Sequence, residues 1–347
     1  MTTSARPTAR PDSSLRKPSR FPTLGCAGPH LMQLRSISAG LSVLLALNPS
    51  VLRAPAPITL PGEKVFPENI SADKAGTIYV GSLGAGGVFR IKPNSTVVES
   101  WIAPGAYGSN AVLGVLADGR SNTLWVCSNS MKEAGVDIAG GDSISALKGF
   151  DLKTGQGKIS VPLPTRPSFC NDIAIGPDGS AFVSNTSSAE ILRLPPKGKA
   201  FEIWFSDPGL QPKGGNGFDG LAFGEDGSLY VDRYDPGDIY RIEVKGGKAA
   251  KATRLQTSRA LVNTDAIRPL GHNRFLLVEG GGRVDRMTIK GDSAIVETLK
   301  DGFDTPTGAT QVGNVVWVSE AQFGFLFDPA KKGQKPAPFR IYPVPVK

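Results

Sequence analysis

Apolar and polar positions alternate in short bursts along this chain, and the bursts recur. "FPENISADKAGTIYV" (66–80) runs from a short apolar strand at 70–72, entered past Pro67, through an Asp-x-x-Gly bend into a β-prone segment, Thr77-Ile78-Tyr79-Val80. "NDIAIGPDGSAFV" (171–183) and "DGLAFGEDGSLYV" (219–231) have the same layout, with Asp73, Asp178 and Asp226 as the turn formers. The interval from Glu68 to Val80 equals that from Asn171 to Val183 and from Asp219 to Val231. "GGVFRI", "EILRL" and "DIYRI" end at one further fixed interval and read as third strands. Three ungapped copies of a strand–turn–strand–turn–strand unit indicate a repeat architecture.

Looser copies complete the series. Residues 111–126 fit with about three inserted residues, which leaves Ala111 at the first position. Residues 263–278 leave either Asn263 or Asp265 there, and 306–318 leave Pro306. The six units lie roughly 41 to 60 residues apart, the range of four-stranded propeller blades. The segment "SNSMKEAGVDIAGGDSIS" (128–145) lengthens the second unit, and no helix-period stretch of any length interrupts the series. The expected fold is all-β: a six-bladed β-propeller of four-stranded blades around a central channel, spanning 57–347. A two-sheet sandwich is the alternative.

Charge changes the picture at one end only. The chain has 347 residues, 40% of them apolar, and a net charge of +8. Seven of its basic residues (Arg6, Arg10, Arg16, Lys17, Arg20, Arg35 and Arg53) precede the repeats, against Asp12 alone. The repeats are therefore nearly neutral, and the basic balance is no argument for a nucleic-acid partner. Within the leader, Met32-Gln-Leu-Arg opens a basic segment before an apolar run at 37–47, too short for a membrane span. Residues 32–56 read as a signal peptide and short linker that begins at Met32, and 1–31 as a non-native extension. The acid-poor composition of 1–31 also fits a transit peptide. Export to the periplasm or beyond is expected, as a monomer.

The candidate chemistry lies at the first position of the repeats. In a propeller the innermost strands line the channel and their first positions converge at one end, so Glu68, Asn171 and Asp219 meet near the axis. Two facing carboxylates repel and are costly to desolvate, and a cation between them removes the repulsion. Oxygen ligands without His or Cys favour calcium over zinc. The same residues also suit strand-end caps or bonds to channel water, and the spacing leaves both readings open.

"FPENISADKAGTIYV", "NDIAIGPDGSAFV" and "DGLAFGEDGSLYV" resemble the gluconolactonase, senescence-marker-protein and luciferin-regenerating-enzyme family of six-bladed propellers, over about 60–345. The resemblance implies a divalent metal, usually calcium, held by Glu68, Asn171 and Asp219, and hydrolysis of sugar lactones. Animal sugar lactonases of that family place an Arg-x-Asn pair in blade two for the sugar hydroxyls. Here the segment is Ser109-Asn110-Ala111, with Asn110 one position off.

A second ring is expected from the residue after each second-strand valine: Gly81, Cys127, Ser184, Asp232, Glu279 and Ser319. Asp232 and Glu279 are thereby candidates for substrate hydroxyls or for the shell behind the ligands, as are Asn110 and Asp265 outside that ring, against the plainer reading of solvated strand ends. The insertion at 128–145 and "GLQPKGGNGF" (209–218) are candidates for the rim. Other motifs fail on context. "GSLGAGG" (81–87) lacks the Lys-Ser/Thr of a phosphate loop, and Ser145-Ala-Leu-Lys148 stands in a strand-rich repeat without partner motifs. His272 is the one histidine after the leader and falls in a blade-five bend, which excludes a Ser-His-Asp triad or a His-based zinc site. Cys127 and Cys170 map to one end of adjacent blades, where either a disulfide or unpaired apolar packing is compatible with the sequence.

Two functional classes follow. One is a calcium-dependent hydrolase of lactones or related esters, in which the ion polarises the carbonyl and lowers the pKa of a bound water while Asp219 accepts its proton. The other is a non-enzymatic ligand-binding propeller with a structural metal, favoured by the inert Ala111 and Pro306. A strictosidine-synthase-like propeller has less support, since that chemistry does not need the oxygen triad.

Overall fold

The computed structural model describes residues 55–346. The extension expected at 1–31 and the signal segment from Met32 through the apolar run at 37–47 lie outside them.

Six antiparallel sheets follow one another along the chain, each built from the inside outward. The innermost strands are Pro67–Ala72, Ala111–Asp118, Cys170–Ile175, Phe218–Phe223, Thr264–Gly271 and Pro306–Val312. Each packs against the next, and Pro306–Val312 packs against Pro67–Ala72 to close the ring. This is the six-bladed propeller. Blade five carries one extra outer strand, Gln256–Thr257, parallel to Ser293–Asp301. Blade six takes its outermost strand from the other end of the chain: Ile58–Thr59 pairs with Arg340–Pro345, Ile58 opposite Ile341. That pairing locks the first described strand onto the last and leaves no open edge between them.

The alternating pattern explains the core. Ile70 pairs with Val80, Ile173 with Val183, Leu221 with Val231 and Ile267 with Leu277. All eight side chains are buried between blades, each stabilising the fold by about 1.5–3 kcal/mol relative to exposure. The bends follow from their aspartates. Asp73 Oδ1 accepts from the Ala75 and Thr77 amides, Asp178 Oδ1 from Ser180 and Asp226 Oδ1 from Ser228. Gly76, Gly179 and Gly227 supply the positive φ that each bend needs. Among the described residues no helix is long and apolar enough to cross a membrane.

Candidate functional site

Every inner strand changes register just after it begins. Pairing slips between Pro67 and Ile70, Val112 and Val115, Cys170 and Ile173, Phe218 and Leu221, Thr264 and Ile267, and Pro306 and Gly308. These are β-bulges, which bend a strand and re-aim its side chains. They turn a polar side chain toward the channel at the mouth of an apolar strand. The first bulge residue is Glu68, Leu113, Asn171, Asp219, Asp265 or Thr307, and the first five of these line one cavity of about 730 Å³.

This register corrects two first positions and decides a third. Blade two presents Leu113 rather than Ala111, because its bulge lies two residues further on. Blade six presents Thr307 rather than Pro306, with Thr307 Oγ1 donating to Pro67 O at 3.1 Å. In blade five Asp265, not Asn263, occupies the place. The second ring shifts there too: Leu277, not Val278, faces Ile267, so Val278 takes the ring position expected of Glu279.

Asn171 is held on two sides. Its preceding residue, Cys170, is disulfide-bonded to Cys127, which ties blade three to blade two. Asn129 clamps the Cys170 backbone, donating to its carbonyl at 2.8 Å and accepting from its amide at 2.9 Å. The Thr186 hydroxyl donates to Phe218 O at 2.6 Å, so it accepts from Asn171 Nδ2 at 2.8 Å. The amide is thereby oriented, and Asn171 Oδ1 is left buried without a partner. Glu68 Oε2 and Asp232 Oδ2 are buried without partners as well. Asp232 does not line the cavity; its other oxygen accepts from the Gly220 amide at 3.0 Å and supports the bulge that carries Asp219. Ser184 does the same work from blade three, donating to Asp219 O at 2.6 Å and accepting from the Asp172 amide.

Beneath this layer lies a network the sequence reading missed. The second bulge residues of blades one and three, Asn69 and Asp172, meet Arg268 from blade five. Arg268 grips both Asp172 oxygens, at 2.6 and 2.8 Å, and Asn69 Oδ1 at 2.8 Å. All three are buried, and a smaller cavity of about 230 Å³ opens on the other side of Arg268. A signal for it existed: polar Asn69 and Asp172 repeat beside the first position, and Arg268 interrupts an apolar strand.

Five buried carboxyl groups (Glu68, Asp172, Asp219, Asp232 and Asp265) thus face one buried cation, Arg268. Burial pushes Glu68, Asp219, Asp232 and Asp265 well above the usual carboxylate range, and their neighbours' negative charge pushes them further. For Glu68 the strongest neighbour is Asp219; for Asp219 it is Asp172. Burial works against the Arg268 charge, but Asp172, Glu68 and Asp265 together outweigh it and hold the guanidinium protonated. Among the described residues no three His, Cys, Asp or Glu side chains form a metal-ligating cluster. The candidate set has only two carboxylates, and its third oxygen comes from an amide. Orphaned oxygens on Glu68 and Asn171, beside Asp219, suit a hard divalent cation.

Two expected residues are elsewhere. Asn110 is buried but faces away from the cavity: its Nδ2 donates to Asp142 O, and its Oδ1 accepts from the Ala111 amide. Glu279 accepts from the Val262 amide at 2.6 Å and pairs with Arg259 at 2.6 Å, in the body of blade five. Both carry structure rather than cavity wall. The rim takes Met131 from the expected insertion and Asn216 from the expected loop, and adds Phe323, Phe327 and Asp328 from a short turn that the repeat pattern did not foresee.

No protein-family model and no curated protein matches this chain. Solved structures do. A putative gluconolactonase is 13% identical at a TM-score of 0.60, covering 84% of this chain and 93% of its own. A gluconolactonase from Xanthomonas campestris is 12% identical at 0.57, covering 85% and 96%. A catalytically inactive histidine-to-alanine form of virginiamycin B lyase from Staphylococcus aureus, bound to quinupristin, is 15% identical at 0.51, covering 77% and 95%. Neighbours with different chemistries share this architecture, so the likeness establishes the propeller and leaves the reaction to the site.

Proposed function

We propose that the protein is an exported, calcium-dependent hydrolase that opens lactones, with related esters as a second substrate class. The observation that carries this reading is the pair of partnerless buried oxygens, Glu68 Oε2 and Asn171 Oδ1, in one cavity with Asp219. Glu68, Asn171 and Asp219 would hold the ion. When bound, calcium supplies Lewis acidity toward a carbonyl oxygen and offsets the crowded negative charge. Asp219 accepts the proton of the attacking water as its oxygen bonds to the carbonyl carbon. The ring C–O bond then breaks, and Asp219 returns the proton to the departing alkoxide, giving a hydroxy acid.

Two further observations support the reading. The Cys127–Cys170 disulfide fits an oxidising compartment. Lyase chemistry that depends on a histidine has no counterpart in the cavity: His272, the one histidine among the described residues, sits in a blade-five turn with its amide on Glu225. A panel of lactones and esters assayed with calcium, with chelator, and with calcium restored tests the proposal. Hydrolysis should vanish on chelation and return with the ion. Turnover indifferent to chelator, or none across the panel, would overturn it.

A further inference from the structure

The cavity wall is divided in two. Over blades four and five it is polar, with Asn216, Asp219, Tyr234 and Asp265. Over the other blades, Glu68, Asn171, Thr186, Thr305 and Asp328 stand among six apolar side chains: Leu83, Leu113, Met131, Phe169, Phe323 and Phe327. Leu83 and Leu113 belong to the largest hydrophobic cluster of the propeller, and Met131, Phe169 and Phe323 pack against it. Phe327 stacks edge-on against Phe323, with ring centroids 5.4 Å apart, and is 48% exposed at the mouth. The apolar side is therefore an extension of the core into the cavity, ending in an aromatic lip.

Leu113 is the decisive member. It occupies the same bulge position as Glu68, Asn171 and Asp219, so it stands beside the reacting centre rather than at the rim. A sugar lactone would bring hydroxyl groups against these six apolar side chains, which offer them no donor or acceptor. The blade-two amides Asn110 and Asn129 each have both ends of the side chain bonded elsewhere. Hydroxyls desolvated without partners weaken binding, while alkyl or aryl surface buried here strengthens it.

We infer that the substrate is a lactone or ester with an alkyl or aryl group on the carbon that bears its ring or ester oxygen, not a polyhydroxylated sugar lactone. The inference rests on the hydrolase reading for its reaction and on the wall alone for its ligand chemistry. Steady-state kinetics should compare glucono-δ-lactone with the alkyl series from δ-hexalactone to δ-decalactone. Across the series kcat/KM should climb about three- to fourfold per methylene until the wall is covered. Phe327→Ser, at an exposed side chain that the fold tolerates, should flatten the climb by raising KM for the longer members. A flat series, or glucono-δ-lactone as the better substrate, would overturn the inference while leaving the hydrolase reading intact. If no lactone is hydrolysed, that reading falls, and calorimetry with alkyl-substituted and unsubstituted δ-lactams decides the ligand question. Tighter binding of the alkyl lactam supports the inference, and equal or no binding overturns it.

Discussion

Blades two and four have the same backbone and opposite chemistry. Each inner strand bulges near its start, and each places glycine second in the bulge, Gly114 and Gly220. A Cβ there would collide with the neighbouring blade, meeting Asn171 O in one case and Asp265 O in the other. At the first bulge position, however, blade two has Leu113 and blade four has Asp219. One ring position over, blade two has Cys127 and blade four Asp232. Blade two uses these places for cohesion, since its leucine joins the core and its cysteine bonds to blade three. Blade four buries charge there, which only a proton or a cation relieves. The repeat builds the geometry, and one side chain per blade decides what the geometry does.

The sharpest break in this contrast is to make blade four neutral. Asp219→Asn keeps the shape and an oxygen but removes the proton acceptor, so kcat on a hydrolysed lactone should fall by about 100-fold or more at saturating calcium. A wild-type rate would show that another group takes the proton. A smaller effect tests the shared backbone. Gly220→Ala and Gly114→Ala should each destabilise by about 1–3 kcal/mol in urea denaturation, through forced displacement of a neighbouring carbonyl. If only one of them does so, the two bulges are not equivalent.

Much of this was legible in the sequence. Periodicity and Asp-Gly bends gave six units, because each blade buries the same apolar pair and turns on the same aspartate. Glu68, Asn171 and Asp219 were found because blades one, three and four repeat without gaps. Where spacing drifted, counting from the recurring valine failed: Ala111, Pro306 and Glu279 were each out by one or two places, since a bulge adds residues without changing the apolar pattern. Leu113 was invisible as a site residue, because a leucine in a strand reads as core. Asn69, Asp172 and Arg268 converge from three blades, and their meeting is a property of ring closure that no local pattern carries. The closing strand at Ile58–Thr59 is too short to signal itself.

The central claim is that Glu68, Asn171 and Asp219 hold a divalent cation, and a calcium titration of metal-stripped protein tests it most directly. Calorimetry at pH 8 should give one ion per chain, weakened in Glu68→Gln. The melting temperature should rise by the equivalent of about 2.7 kcal/mol at a hundredfold excess over Kd. The sign with pH follows from the raised carboxyl pKa values. Without calcium, groups whose folded pKa is raised stabilise fully below about pH 4 and lose that contribution as pH rises through the folded value. Calcium should therefore stabilise more at pH 8 than at pH 5, where protons already relieve the site. Folded, metal-stripped protein that binds no calcium at millimolar concentration and pH 8, with an unchanged melting temperature, would contradict the account.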